Sequence, residues 1–182
     1  MTTHPTRVLV VVASRHGATA EIGAALARSI QESDAGRIAG LAVVPMPVDQ
    51  RPDPAAFEAV VVGSAVYAGE WLAPARTYVT THAAVLRTRP LWLFSSGPIG
   101  DPPFPLDEPY DVAALTHLTG ARGHVTFPGR LVKERLSFGE RAMATAMRAP
   151  VGDFRDWDAV RRWGAEIAGE IAGVGEPTPV GT

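Results

Sequence analysis

Apolar positions along this chain follow two rhythms in alternation. Residues 8–13 (VLVVVA) are an unbroken apolar run, the pattern of a strand covered on both faces, as in parallel sheets sandwiched between helices. Ile22, Leu26 and Ile30 then recur at every fourth position, which draws an apolar stripe along one side of a helix. Further strands are predicted at 38–44 (IAGLAVV), 59–65 (AVVVGSA), 90–96 (PLWLFSS) and 123–131, the last interrupted by Pro128 and Gly129 as suits a sheet edge. Further helices are predicted at 72–86, with Val79, Ala83 and Leu86 inward, at 111–118, and at 135–148, with Leu136, Met143 and Met147 along one side. A last helix is predicted at 157–171, where Asp156 is the expected N-cap and Trp157, Val160, Trp163, Ile167 and Ile171 share one face. The Pro- and Asp-rich 46–54 is a connection, and 173–182 (GVGEPTPVGT) reads as a disordered tail.

Strands alternating with helices imply right-handed crossovers and an α/β fold with a doubly wound, five-stranded parallel sheet. The common order for such a sheet is 2-1-3-4-5, with its topological switch between the first and third strands, and ligands bind there outside the carboxyl ends of the strands. Three segments meet at that edge: SRHGAT (14–19), SAVYAGEW (64–71) and SSGPIGDPP (95–103).

Composition narrows the chemistry. At 182 residues, 46% hydrophobic and 20% charged, the chain suits one domain, residues 1–172, with a full core. A formal net charge of -2 counts against a nucleic-acid partner, and it lacks the strong acidity of a carrier that docks on basic partners. The absence of cysteine removes disulfides, thiolate nucleophiles, iron–sulfur clusters and Cys-based zinc sites, so redox chemistry would rest on an organic cofactor. His4, His16, His82, His117 and His124 show no metal-ligand spacing, so no metal site is expected; His82, His117 and His124 read as surface or boundary residues. No apolar run approaches the ~20 residues that cross a bilayer. The short run after MTTHPTR leads into the fold rather than to a cleavage site, and the expected location is cytoplasmic.

A loop of small residues entering a helix aims backbone N–H groups and the positive end of the helix dipole at one point, which is an anion site. Ser14 and Thr19 add hydroxyl donors, Gly17 permits a tight turn, and Arg15 or His16 adds charge. The loop has neither the lysine of a Walker-type loop nor the three-glycine spacing of a dinucleotide fingerprint. A phosphate monoester held through neutral donors fits it best, although a plain strand-to-helix turn fits it equally well. Tyr67 offers an aromatic face to a planar heterocycle, whereas Trp71 suits ordinary packing at least as well. SSGPIGDPP would lay backbone amides along the polar rim of such a ring with Asp101 at its edge, or is a plain surface loop. Other chemistries on this strand order fail. A phospho-receiver needs acidic residues where the chain has SRHG and GSAV, and a hydrolase elbow needs a Gly-x-Ser-x-Gly that neither GSAVY nor FSSGP supplies.

SRHGAT resembles the phosphate loop of the flavodoxin family, Ser/Thr-x-Thr-Gly-x-Thr, with Ser14, Gly17 and Thr19 matching and His16 in place of the usual Thr. Within that family it is most similar to the menaquinone-dependent protoporphyrinogen oxidases (dehydrogenases). Their loop resembles Thr-Arg-Asp-Gly-x-Thr, so Arg15 matches and His16 stands where Asp is found. The likeness runs through FEAVVVGSAVYAG, RPLWLFSS and DWDAVRRWGAEIA, over residues 7–172, and 131–154 matches an insertion ahead of the last helix. Those enzymes carry there a basic, aromatic-rich helix suited to a membrane surface and a quinone. Here the segment is rich in Met and Ala and mildly basic, and SSGPIGDPP is longer in Gly and Pro than the enzymes' loop.

The resemblance implies a flavodoxin-like fold holding FMN, with the phosphate on Ser14, Arg15, His16, Gly17, Ala18 and Thr19. The flavin ring would lie between Ala65, Val66, Tyr67, Ala68 and Gly69 on one side and Ser95, Ser96, Gly97, Pro98, Ile99, Gly100 and Asp101 on the other. It implies an oxidoreductase that passes electrons from a small-molecule reductant, protoporphyrinogen in that subgroup, to a quinone or another acceptor, with no side chain assigned as general acid or base. Peripheral contact with the inner membrane face through residues 131–150 belongs to the same expectation. A flavodoxin-type electron carrier, and a quinone reductase fed by a nicotinamide or deazaflavin donor, are the alternatives.

Overall fold

Strand β1 (Arg7–Ala13) is an interior strand of the sheet, paired on both sides, with Val8, Leu9, Val10 and Val11 fully buried. Successive side chains of a strand point to opposite faces, so this one run feeds two cores. Val8, Val10 and Val12 meet Ile22, Leu26 and Ile30 of α1 (Ala18–Glu32), whereas Leu9 and Val11 face the opposite layer. Each fully buried side chain of this kind stabilises the fold by roughly 1.5–3 kcal/mol. The computed structural model describes residues 4–97, 99 and 108–173. After α1 follow α2 (Asp34–Ile38), β2 (Ala42–Pro47), β3 (Ala59–Tyr67), β4 (Glu70–Trp71), α3 (Ala73–Thr81), α4 (Ala83–Leu86) and β5 (Leu91–Ser96). The chain continues with α5 (Val112–Thr119), β6 (Gly123–Phe127), β7 (Arg130–Leu131), α6 (Phe138–Ala146), β8 (Gly152–Asp153) and α7 (Trp157–Ile171).

Parallel strands pair in the order β2-β1-β3-β5-β6, and the two-residue β4 folds back antiparallel on β3. With β4 set aside this is the expected doubly wound order, 2-1-3-4-5. Helices α1 and α7 cover one face; α3, α4 and α5 cover the other. Phe94 of β5, Phe127 of β6 and Trp163 of α7 pack edge-on with ring centroids 5.7 to 6.4 Å apart, joining the last helix to the sheet. Gly63 of β3 is required beneath this cluster, because the Phe94 ring occupies the space a side chain there would fill.

Four predicted elements are corrected. The second strand begins at Ala42 instead of residue 38: Ser33 accepts from the Gly36 N–H and caps α2, leaving Ile38 86% exposed at its end. Pro45 and Pro47 belong to that strand and are tolerated because β2 is an edge, bonded only to β1. The helix predicted over 72–86 breaks at His82, after Thr80 Oγ1 donates back to the Arg76 and Thr77 carbonyls, a pattern that bends helices. The fifth main strand ends at Phe127; past Pro128 and Gly129 the chain leaves the sheet, and β7 pairs antiparallel with β8 in a small separate ribbon. The helix predicted over 135–148 is a 3-10 turn, Lys133–Arg135, followed by α6. Leu136 anchors the junction between them, while Met143 and Met147 stay exposed. Of the expected tail, 173–182, only Gly173 lies within the described residues.

Candidate functional site

At the end of β1 the chain turns on a small hydrogen-bonded loop. Ser14 Oγ accepts from the Gly17 N–H at 3.1 Å, and Gly17, the N-cap of α1, adopts φ 86, a left-handed conformation in which a Cβ is strained. Glycine at the cap brings no side-chain acceptor to the first turn. The opening amides of α1 therefore face outward, with the positive end of the helix dipole behind them. Thr19 is buried in that first turn.

A cavity of about 160 Å³ opens over this loop. Of the expected site residues, it is lined by Ser14, Arg15, His16, Ala18, Thr19, Ala65, Val66, Tyr67, Ser96, Gly97 and Ile99. Four others lie elsewhere. Gly17 lines a neighbouring groove that runs past Met46 and Leu72. Ala68 and Gly69, at φ 50 and φ 80, form the tight turn between β3 and β4. Ser95 is buried in the core, where its Oγ accepts from Trp71 Nε1 at 2.7 Å and meets His124 Nε2 at 2.8 Å. Pro98, Gly100 and Asp101 lie outside the described residues. Trp71 is 2% exposed and is a core residue; its backbone N–H is held by Asp111 at 3.0 Å.

One wall of the cavity comes from chain outside the three expected loops. Gly129, Arg130, Leu131, Val132, Arg135 and Leu136 line it as well, brought over the loop where the chain leaves β6. The Pro128–Gly129 break was a visible signal that the chain departs from the sheet there, but not of where it goes. A charged network fastens this wall down. Glu21, in the first turn of α1, receives both Arg130, at 2.9 Å, and the nearly buried Arg155, at 2.6 Å, while Arg155 also meets Asp153 of β8 at 2.5 Å. The Arg155 guanidinium lowers the Glu21 carboxyl below the usual range.

Glu140 of α6 closes the rim, meeting Arg15 Nε at 3.0 Å and His16 Nε2 at 3.2 Å. Its second oxygen accepts from the Ser137 N–H as half of a capping box. That backbone bond is the main cause that pulls the Glu140 carboxyl from 4.5 to about 2. Arg135 Nη1 donates to the His16 carbonyl at 2.9 Å. The Arg15 guanidinium sits 5.1 Å from the centroid of the Tyr67 ring, a cation–π contact. Burial, followed by the nearby Glu140 charge, raises the Tyr67 hydroxyl above its usual pKa.

Behind the cavity, His124 Nδ1 meets Glu108 at 2.7 Å, completing a Glu108–His124–Ser95–Trp71 chain. The order mimics a hydrolytic triad, but Ser95 has no exposed surface and already accepts the indole N–H, so the chain braces the core. Burial lowers the His124 pKa. Among the described residues no cluster could hold a metal ion, and no helix is long and apolar enough to cross a membrane.

The arrangement offers an anion site beside an aromatic face, and comparison with known proteins points the same way. The sequence model of the family described as "Flavodoxin domain" matches residues 9–158. Among solved structures, the flavodiiron core of Flv1 from Synechocystis superposes with a TM-score of 0.60 at 14% identity, covering 93% of this chain and 36% of that one, so this chain spans about a third of its length. A flavodoxin from the domain Archaea gives 0.56 at 14% identity over 91% of this chain and 98% of its own. Flavodoxin 1 from Bacillus cereus gives 0.57 at 12% identity, with 88% and 96% covered. At these identities the likeness concerns the fold. No curated protein matches the chain.

Proposed function

The chain belongs to the flavodoxin domain family, and from that premise we propose that it is an FMN-dependent oxidoreductase passing electrons from a small-molecule reductant to a quinone or another acceptor. The observation that carries this reading is the cavity that gathers Ser14, Thr19 and Tyr67 at the opening of α1. It offers hydroxyls and a helix N-terminus to a phosphate, and an aromatic ring to a planar heterocycle. The residues fit that group in detail. Ser14 Oγ accepts from Gly17, which leaves its own proton for a phosphate oxygen. Thr19 would add a second hydroxyl donor, and Tyr67, with Ala65 and Val66, would border the ring. When bound, FMN supplies the redox centre, and the protein supplies position and electrostatics. Arg15, held between Glu140 and Tyr67, fixes the cationic rim of the pocket.

We place protoporphyrinogen as the reductant and menaquinone as the acceptor, after the subgroup that the loop and the closing helix resemble. Exposed Phe138, Met143 and Met147 on and just beyond α6 support approach to a membrane surface that holds the quinone. The test is an absorption spectrum and a mass for the copurifying cofactor, followed by anaerobic reduction with protoporphyrinogen and reoxidation by menaquinone in lipid vesicles. Yellow protein of FMN mass, bleached by the one and restored by the other, is the expected result. A flavin unmoved by protoporphyrinogen removes the substrate and leaves the cofactor. Protein that ignores FMN and takes a deazaflavin removes the cofactor too.

A further inference from the structure

Three cations line the cavity, and they are not equivalent. Arg15 is paired with Glu140, and Arg130 is paired with Glu21. Arg135 is different: the one hydrogen bond of its side chain among the described residues goes to a neutral acceptor, the His16 carbonyl, at 2.9 Å. Its Nη1 stands 3.0 Å from the point where a Cβ on Gly17 would lie. Gly17 is the N-cap of α1, so a guanidinium is held against the positive end of a helix dipole. Like charges placed this way repel, whereas an anion bound between them is attracted by both. A guanidinium has five N–H donors in a planar fork, and one bond to a carbonyl leaves most of them for phosphate oxygens.

We propose that Arg135 is a phosphate ligand of this site, supplied by the segment between β7 and α6, and that it gives the pocket its preference for a phosphorylated flavin over an unphosphorylated one. The inference rests on the FMN reading above and deepens it. The loop at 14–19 contributes neutral donors, and Arg135 contributes the charge that matches a phosphate dianion. The contact is also reciprocal: a phosphate held by both Arg135 and the α1 amides ties the outer wall of the cavity to the loop beneath it. Glu21 and Glu140 are the carboxylates facing this cluster, and both are engaged by other arginines.

The experiment titrates FMN and riboflavin into wild-type protein, Arg135→Gln and Arg135→Lys at low and high salt. Arg135 is exposed, and matching thermal melts confirm that the variants are folded. Arg135→Gln is expected to weaken FMN about tenfold or more, the scale of a lost charge-assisted bond, to leave riboflavin unchanged, and to flatten the salt dependence. Arg135→Lys should recover part of the loss. Equal weakening of both flavins, or none, overturns the proposal. Inorganic phosphate serves as an independent probe by thermal shift. If wild type ignores FMN but is stabilised by phosphate only when Arg135 is present, the FMN reading falls and Arg135 stands as an anion ligand. If neither binds, both fall.

Discussion

At the scale of single residues, the first loop separates side chains that line the cavity from a glycine that shapes the turn. Ser14 and Thr19 line the cavity; Gly17 does not, yet it sets the turn by adopting φ 86. Replacing both hydroxyls, Ser14→Ala with Thr19→Ala, should weaken FMN binding by about 1–3 kcal/mol, measured by fluorescence titration; unchanged affinity would remove them from the phosphate site. His16 carries a lesson of its own. It is the position where the loop departs from the flavodoxin pattern, and the sequence offers it only as an added charge at the phosphate loop. In the folded protein it is a junction, its ring on Glu140 and its carbonyl under Arg135, with both partners more than a hundred residues away. The loop's resemblance is carried by its own six residues, but its partners come from chain that has no local relation to it.

At the scale of elements, caps decide boundaries where periodicity misleads. Asp156 was legible as the start of the last helix, and its side chain does accept from the Ala159 N–H at 2.9 Å. Asp156→Ala should cost about 1 kcal/mol, read as a lower midpoint in chemical denaturation with an unchanged slope. Ser137 and Glu140 form a capping box that starts α6 at Phe138, whereas the apolar spacing of Leu136, Met143 and Met147 predicts a start at residue 135. The cap had priority because it satisfies backbone N–H groups that otherwise lose their partners. Elsewhere the deciding contact was tertiary. β2 accommodates Pro45 and Pro47 because only one side of it is paired, which periodicity alone does not reveal.

At the scale of the whole molecule, the carboxylates with shifted pKa values and His124 act in one direction. His124 has its pKa lowered by burial, so the unfolded chain takes up its proton first as the pH falls below 6.5. More protons bound in the unfolded state means stability is lost on acidification. Glu140, at about 2 against 4.5, behaves likewise in a lower window: its contribution is present above 4.5 and is lost as the pH falls toward 2. Glu21 and Asp153, both lowered chiefly by hydrogen bonds from Arg155, add to this second stage. Denaturation across pH should therefore show stability falling first below about 6.5 and again below about 4.5. His124→Gln should remove the first stage and Glu140→Gln should diminish the second; a wild-type profile flat from 7 down to 5 would contradict the role given to His124.

The amino-acid sequence by itself determined the layers and their order. A short unbroken run rich in valine reads as a strand covered on both sides, and strands that alternate with amphipathic helices leave few topologies open. It also located the edge where loops 14–19 and 64–71 meet, because the carboxyl ends of the first and third strands are neighbours in that order. Only the tertiary structure decided the outer wall of the cavity. Across more than a hundred residues, Arg130 reaches Glu21 at the opening of α1 through an ion pair and Arg135 reaches the His16 carbonyl through a hydrogen bond, and neither contact carries a local signature. Hydrophobic periodicity is written into each segment by its own geometry; a charge finds its partner only after the chain has folded.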